Sequence, residues 1–167
     1  MKVYCIFCKS GSEDLVAEKI AKLSPELEAI IPVRTLQQKR NGKWMSSKQH
    51  LIPGYIFLYV EEEMSLQRIK QLLDVYKVLD YEVGSRELVN NDYEYAMWIY
   101  RHCGNIDTSK VVMEGSLVRV VDGPLLDGIG TIVRIDRHKR RAWVEFDFNG
   151  KKQCVSLSIE DVTSYVA

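Results

Sequence analysis

Three histidines, His50, His102 and His138, and four cysteines, Cys5, Cys8, Cys103 and Cys154, are the side chains of this 167-residue chain best suited to nucleophilic, acid–base or metal chemistry. Their spacing assembles none of it. Cys5 and Cys8 are three apart in an apolar run that reads as a strand, where such residues point to opposite faces instead of converging on an ion. No second CxxC follows, so buried free thiols are the expectation. The chain has no GxSxG, GxxxxGK[ST], HExxH or GxGxxG, and Gly128-Ile129-Gly130 is too short to cradle a phosphate. His50 and His138 sit among basic residues, as solvated surface histidines do. His102 falls near a helix end, where its charge suits the dipole. The expectation is a protein that is not an enzyme and has no metal and no cofactor.

The remaining chemistry is that of recognition. Lys and Arg number 23 and Asp and Glu 23, so the whole chain is neutral and clustering must carry any case for nucleic acid. From Glu28 to Glu61 there is no acid between, yet Arg34, Lys39, Arg40, Lys43 and Lys48 occur with Trp44 among them. Cations beside an aromatic ring suit phosphates and stacked bases; lysines that keep an edge strand from aggregating give the same pattern. Farther on, Arg134, Arg137, Lys139, Arg140 and Arg141 oppose one acid, Asp136, within eight residues, with His138 inside the run and Lys151 and Lys152 on the next hairpin. Gathered at one end of a sheet, these side chains would grip several phosphates and bind RNA or DNA in a salt-dependent way; a solvated turn is the bland alternative. A third group is aromatic: Tyr55, Phe57 and Tyr59 alternate along one strand, and Phe7 on the first strand is placed to join them. Their face is either covered internally by the ribbon or linker, or serves as a docking surface for protein or bases.

These residues need elements to hold them. Lys2–Cys8 reads as a buried strand. Ser10 and Glu13 have capping-box spacing before Val16, Ile20 and Leu23, which share one helical face up to Pro25. Residues 27–32 read as a strand, and Asn41-Gly42 marks a tight hairpin, predicting a projecting ribbon over about 34–48. After Pro53-Gly54 comes the aromatic strand, then a helix with Leu66, Ile69 and Leu73, a strand over 75–83, and a helix opening at Asn91 with Glu94 and carrying Tyr95, Trp98 and Ile99. The order βαββαβα predicts an α+β fold, a ferredoxin-like antiparallel sheet with helices on one face. From residue 114 onward, four short strands (117–121, 130–136, 142–148 and 151–157) predict a small all-β barrel. The expected domains are residues 1–104 and 114–167, joined by a polar linker, 105–113. With no apolar run near the roughly 18 residues of a membrane span and no cleavable leader, a cytoplasmic, soluble monomer with no membrane partner is expected.

Val3-Tyr4-Cys5-Ile6-Phe7-Cys8-Lys9-Ser10-Gly11, Pro53-Gly54-Tyr55-Ile56-Phe57-Leu58, and Asp122-Gly123-Pro124-Leu125 with Gly130 and Ile135-Asp136, taken in this order, resemble the NusG family of transcription elongation factors. The first two segments resemble its NGN domain and the third its SH3-like KOW barrel. The resemblance implies docking on the clamp helices of RNA polymerase through Phe7, Tyr55 and Phe57. It also implies upstream-DNA contacts from Lys9, Arg40 and Lys43, and an approach of residues 65–68 to the gate loop. Suppression of pausing or termination would follow from clamp closure. For the barrel it implies recruitment of a ribosomal protein, the termination factor Rho, or nucleic acid.

Several positions depart from the housekeeping pattern. Asp127 stands where glycine is usual, Phe148-Asn149-Gly150 replaces an Ile-Phe-Gly turn, and Asp74-Val75 replaces Gly-Val. With the basic run of the barrel, these departures resemble a specialised paralogue of the LoaP antiterminator type, which implies nascent RNA hairpin binding through Arg134, Arg137, His138, Lys139, Arg140, Arg141, Lys151 and Lys152. A housekeeping NusG that recruits a ribosomal protein or Rho is the alternative. An RNA-recognition motif is another, because Gly54 to Tyr59 approximates its signature, although Pro53 and Ile56 depart from it and a barrel follows.

Overall fold

A computed structural model describes residues 1–81 and 84–165. In chain order the elements are β1 (Lys2–Cys8), α1 (Glu13–Leu23), β2 (Glu28–Ile30), β3 (Val33–Arg40), β4 (Lys43–His50), β5 (Tyr55–Val60), α2 (Gln67–Lys70), β6 (Val75–Val78), α3 (Asn90–Arg101), β7 (Asn105–Ile106), β8 (Ser109–Glu114), β9 (Leu117–Asp122), β10 (Thr131–Asp136), β11 (Arg141–Phe148) and β12 (Lys151–Asp161). They divide between two compact units, Met1–Pro32 with Ile52–Tyr100, and Val33–Leu51 with Arg101–Ala167.

In the first unit the strands lie in the order β2-β5-β1-β6, all neighbours antiparallel, which is the split βαβ arrangement of a ferredoxin-like sheet. Ile56 and Leu58 on one face join Tyr4, Ile6, Val16, Ile20 and Ile69 in a core under α1 and α2. The other face is covered as well, contrary to the expected single helical layer. Phe57 packs on Tyr95 of α3 with ring centroids 6.3 Å apart, and the Tyr59 hydroxyl donates to the Ala96 carbonyl at 2.6 Å. The reason lies in β5, which alternates aromatic with aliphatic residues and so has no polar face to leave in water. The helix expected over Leu66, Ile69 and Leu73 is a single turn. Leu66 and Ile69 are buried, while Leu73, beyond its end, is 74% exposed. Glu82 and Val83, the end of the strand expected over 75–83, lie outside the described residues.

The second unit is all-β. Its five-stranded barrel sheet runs β10-β11-β12-β8-β9 and encloses Val111, Ala142, Val144, Phe146, Phe148, Leu157 and Ile159. The strand beyond the four expected is β8, which pairs in parallel with β12; with β7, it occupies the segment expected to be a linker. Polar residues hid it: of Ser109, Val111 and Val112, all buried, only two are apolar. Gly123 sits at φ 96°, and a Cβ there would lie 2.6 Å from Ser109 Cα, so the Asp-Gly-Pro-Leu turn can close on β8 only through a glycine.

The β3–β4 ribbon turns at Asn41-Gly42, both with positive φ (51° and 75°), as a two-residue hairpin requires. It does not project freely. Arg34 donates to the Ser156 carbonyl at 2.6 Å and to its hydroxyl at 3.0 Å, and Gln37 donates to Ser158 Oγ at 3.1 Å, so β3 lies on β12 and the ribbon belongs to the barrel's unit. Burial, and then the charge of Arg141, lowers the Arg34 pKa.

Candidate functional site

Antiparallel pairing of β1 with β5 sets Phe7 opposite Tyr55 and Cys5 opposite Phe57. The aromatic face is thereby divided. Phe57 and Tyr59 lie under α3, 0% and 2% exposed, whereas Phe7 and Tyr55 at the strand ends are half-buried. Phe7 also meets Tyr76 of β6, which is 60% exposed; the ring centroids of Phe7 are 5.2 Å from Tyr55 and 5.6 Å from Tyr76. Of the three residues expected on a docking face, Phe7 and Tyr55 come together at its open end. Phe57 instead belongs to the core, and Tyr76 takes the outer position. Burial, and secondarily the Cys5 sulfur, push the Tyr55 hydroxyl pKa up, so the ring stays neutral near physiological pH.

The backbone that seats these rings depends on two residues. Gly54 adopts φ 87° and accepts a hydrogen bond from the Cys8 N–H at 2.7 Å, and a Cβ on it would lie 2.7 Å from the Phe7 ring. Glu13, 2% exposed, accepts from the Gly54 N–H at 3.1 Å through Oε2 and from the Gly11 N–H at 2.5 Å through Oε1. Its carboxylate therefore ties two loops together and does not close a capping box with Ser10; the N-cap position is Ser12, without a side-chain bond. The sequence pattern carried the acid but not its partner, because Gly54 is brought to it only by the sheet. Lys9, exposed, continues from the same end of β1, and its N–H donates to the Asp74 carbonyl at 2.9 Å. Cys5 and Cys8 are buried on opposite sides of the sheet, Cys8 in the core under α1.

The expected barrel cations do not gather at one end. Residues 137–140 turn before β11 and Asn149-Gly150 turn after it, so Lys151 and Lys152 lie a strand length away, roughly 23 Å for eight residues. Successive turns of a meander alternate ends, and that separates the two clusters. Lys152 is further engaged by Glu145 at 3.2 Å and Asp147 at 3.7 Å, and the bond to Glu145 is the main reason its pKa is raised. Arg137 pairs with Asp161 at 2.9 Å; hydrogen bonds from Thr163 first, and Arg137 after them, hold the Asp161 carboxyl below its usual range. Arg134 lies 5.1 Å over the Trp143 ring.

The remaining turn residues meet the ribbon. The Arg140 guanidinium lies 4.0 Å from the centroid of Trp44 and donates to Gln37 Oε1 at 2.9 Å. A cavity of about 280 Å³ is lined there by Lys39, Trp44, His138, Lys139 and Arg141 together with Gln37 and Gln38, and among the described residues no carboxylate lines it. Arg40 and Lys43, exposed, flank the ribbon tip. His102, just past α3, pairs with Asp127 at 2.7 Å, which gives the unusual acid of that loop a structural partner. Among the described residues no group of three or more His, Cys, Asp or Glu converges to hold a metal, and no helix is long and apolar enough to cross a membrane.

The described residues thus form a ferredoxin-like α/β unit with an aromatic edge and an all-β unit with a cationic-aromatic groove. Residues 1–91 match the family described as transcription termination factor nusG, and residues 114–147 match the KOW motif. The chain belongs to the NusG family of transcription termination and antitermination factors. It is similar to the transcription termination/antitermination protein NusG of Buchnera aphidicola (27% identical, covering 95% of this chain and 93% of that one) and of Pseudomonas aeruginosa (25%, covering 95% and 96%). Among solved structures, one titled "Domain interaction in Thermotoga maritima NusG" shares the fold, with a TM-score of 0.60 at 22% identity over 94% of this chain and 93% of that one.

Proposed function

We propose that this protein binds RNA polymerase through the open aromatic end of its first unit, formed by Phe7, Tyr55 and Tyr76, and contacts nascent structured RNA through the basic second unit, suppressing pausing or termination as a specialised antiterminator. The observation that carries the polymerase reading is the division of the aromatic face. Three rings remain accessible at one end of a sheet whose other aromatics are sealed, and partly desolvated aromatic clusters are the usual anchors of protein interfaces. Full-length protein carrying Tyr55→Ala with Tyr76→Ala should lose at least tenfold in affinity for core polymerase at a temperature where circular dichroism shows it folded. Unchanged affinity would overturn this reading.

A second reading of the barrel draws support from a groove with apolar walls edged by Arg134 and Arg137. Met113, Leu117, Val118, Ile132 and Val133 line a cavity of about 510 Å³, and Leu117 and Val133 are 69% and 51% exposed. Such a surface suits a protein partner, as a housekeeping factor that recruits a ribosomal protein or Rho would need. Leu117→Ser should weaken binding of that partner, measured by titration with the purified partner, and unchanged affinity would overturn this second reading.

A further inference from the structure

The two basic segments that look unrelated in sequence form one surface. β3 lies on β12 through Arg34 and Gln37, and this places Trp44 and Lys39, cross-strand partners in the ribbon, beside the β10–β11 turn. The turn is shaped to meet them. Arg140 holds a left-handed backbone (φ 54°) that non-glycine residues adopt infrequently, and the Ile159 N–H donates to its carbonyl at 3.0 Å while its side chain covers Trp44. The result is a half-buried indole braced by a guanidinium, next to a cavity with Lys39, Lys139, Arg141 and His138 on its walls and the amides of Gln37 and Gln38 among them.

Each part of this surface matches part of a nucleotide. An aromatic ring stacks a base of any identity, cations receive the flanking phosphates, and the Gln38 amide has the donor and acceptor groups to bond a base edge, while that of Gln37 is held by Ser158 and Arg140. A closed duplex keeps its bases stacked inside, whereas loops and bulges of RNA offer them splayed out. We propose that the ribbon and the β10–β11 turn form a composite site for an unpaired nucleotide of structured RNA, with the base on Trp44, the neighbouring phosphates on Lys39, Lys139 and Arg141, and Arg140 as the brace that positions Trp44. This rests on the RNA reading of the second unit and extends it to a segment outside the barrel.

The test titrates the full-length protein with three labelled probes: an RNA stem with a long purine-rich unpaired loop, the same stem closed by a minimal loop, and the DNA counterpart of the first. The looped RNA should bind tightest. Trp44→Ala should weaken it roughly 5- to 150-fold, the loss expected for one stacked base, without changing the salt slope. Trp44→Phe should keep most of the affinity, which a general loss of folding would not allow. Lys39→Gln with Lys139→Gln should lower the slope of log K against log salt by about 1.4, or about 0.7 for each single-strand phosphate. If Trp44→Ala and Lys39→Gln leave affinity unchanged while Lys139→Gln weakens it, the composite site is overturned but RNA binding by the turn survives. Equal affinity for the DNA loop, with equal sensitivity to Trp44→Ala, would overturn the assignment to RNA. Absence of binding to all three probes at low salt would overturn the RNA reading itself.

Discussion

Phe57 lies in the segment by which the chain resembles polymerase-docking proteins, yet its side chain is 0% exposed, set opposite Cys5 on β1 and against Tyr95 on α3. Truncating a buried phenylalanine removes its transfer free energy and leaves a cavity, at a cost of about 3–5 kcal/mol. That is a large share of the roughly 5–15 kcal/mol by which a domain is stable. At about 4–8 °C per kcal/mol for a unit of this size, Phe57→Ala should lower the melting temperature by roughly 12–40 °C. Tyr55, half-buried at the open end, gives up much less: Tyr55→Ala should cost under about 2 kcal/mol, since only part of its surface leaves water. The assay pairs thermal melts followed by circular dichroism with polymerase binding at a temperature where each variant is folded. Phe57→Leu should melt below wild type and still bind polymerase, whereas Tyr55→Ala should lose less melting temperature than Phe57→Ala and bind poorly while folded. If Phe57→Ala melted within a few degrees of wild type and yet lost polymerase binding, Phe57 would have to be accessible, and its burial under α3 would be refuted as the basis for dividing this face.

Glu13→Ala should destabilise the first unit by about 1.5–3 kcal/mol, the worth of a hydrogen bond to a charged group, and should weaken polymerase binding because the Gly11 and Gly54 loops that seat Phe7 come loose; urea midpoints and binding measured together check it. Gly130→Ala should cost about 1–3 kcal/mol by overpacking, since the new Cβ would lie 2.5 Å from Val144 Cγ1 and 2.6 Å from the Phe146 ring; a melt unchanged from wild type would contradict the packing. Stability should fall as pH rises from about 9 toward 12. Burial, then the Glu13 and Asp74 carboxylates, push the Cys8 thiol from 9.0 to about 11, and burial with the bond to Asp92 pushes the Tyr81 hydroxyl from 10.0 to about 12. In the unfolded chain both groups release their protons at the lower values, so the folded state binds more protons across that window and loses ground as the pH climbs. Urea midpoints across the range should decline steadily, and a flat profile would contradict the burial of these groups.

What the sequence determined by itself was local. The strand Lys2–Cys8, the helix carrying Val16 and Ile20, and the hairpins at Asn41-Gly42 and Asn149-Gly150 follow from periodicity and turn chemistry acting within a few residues, and they stand in the structure where that chemistry puts them. The alternation of β5 showed that two apolar faces needed cover, and its aliphatic side did receive α1 and α2. The failures are of a different kind. That α3 closes over Phe57 and Tyr59, that Tyr76 reaches Phe7, and that Glu13 finds the Gly54 N–H are pairings between segments whose separation in the chain carries no signal of their contact. The separation of Lys151 and Lys152 from the 137–140 turn was within reach of the sequence, because a full strand between two tight turns puts them at opposite ends. The meeting of Trp44 with Arg140 was not. It exists because Arg34 and Gln37 hold β3 on β12, and only tertiary packing, which buries some members of a pattern and exposes others, decides which of these cations and rings face a partner.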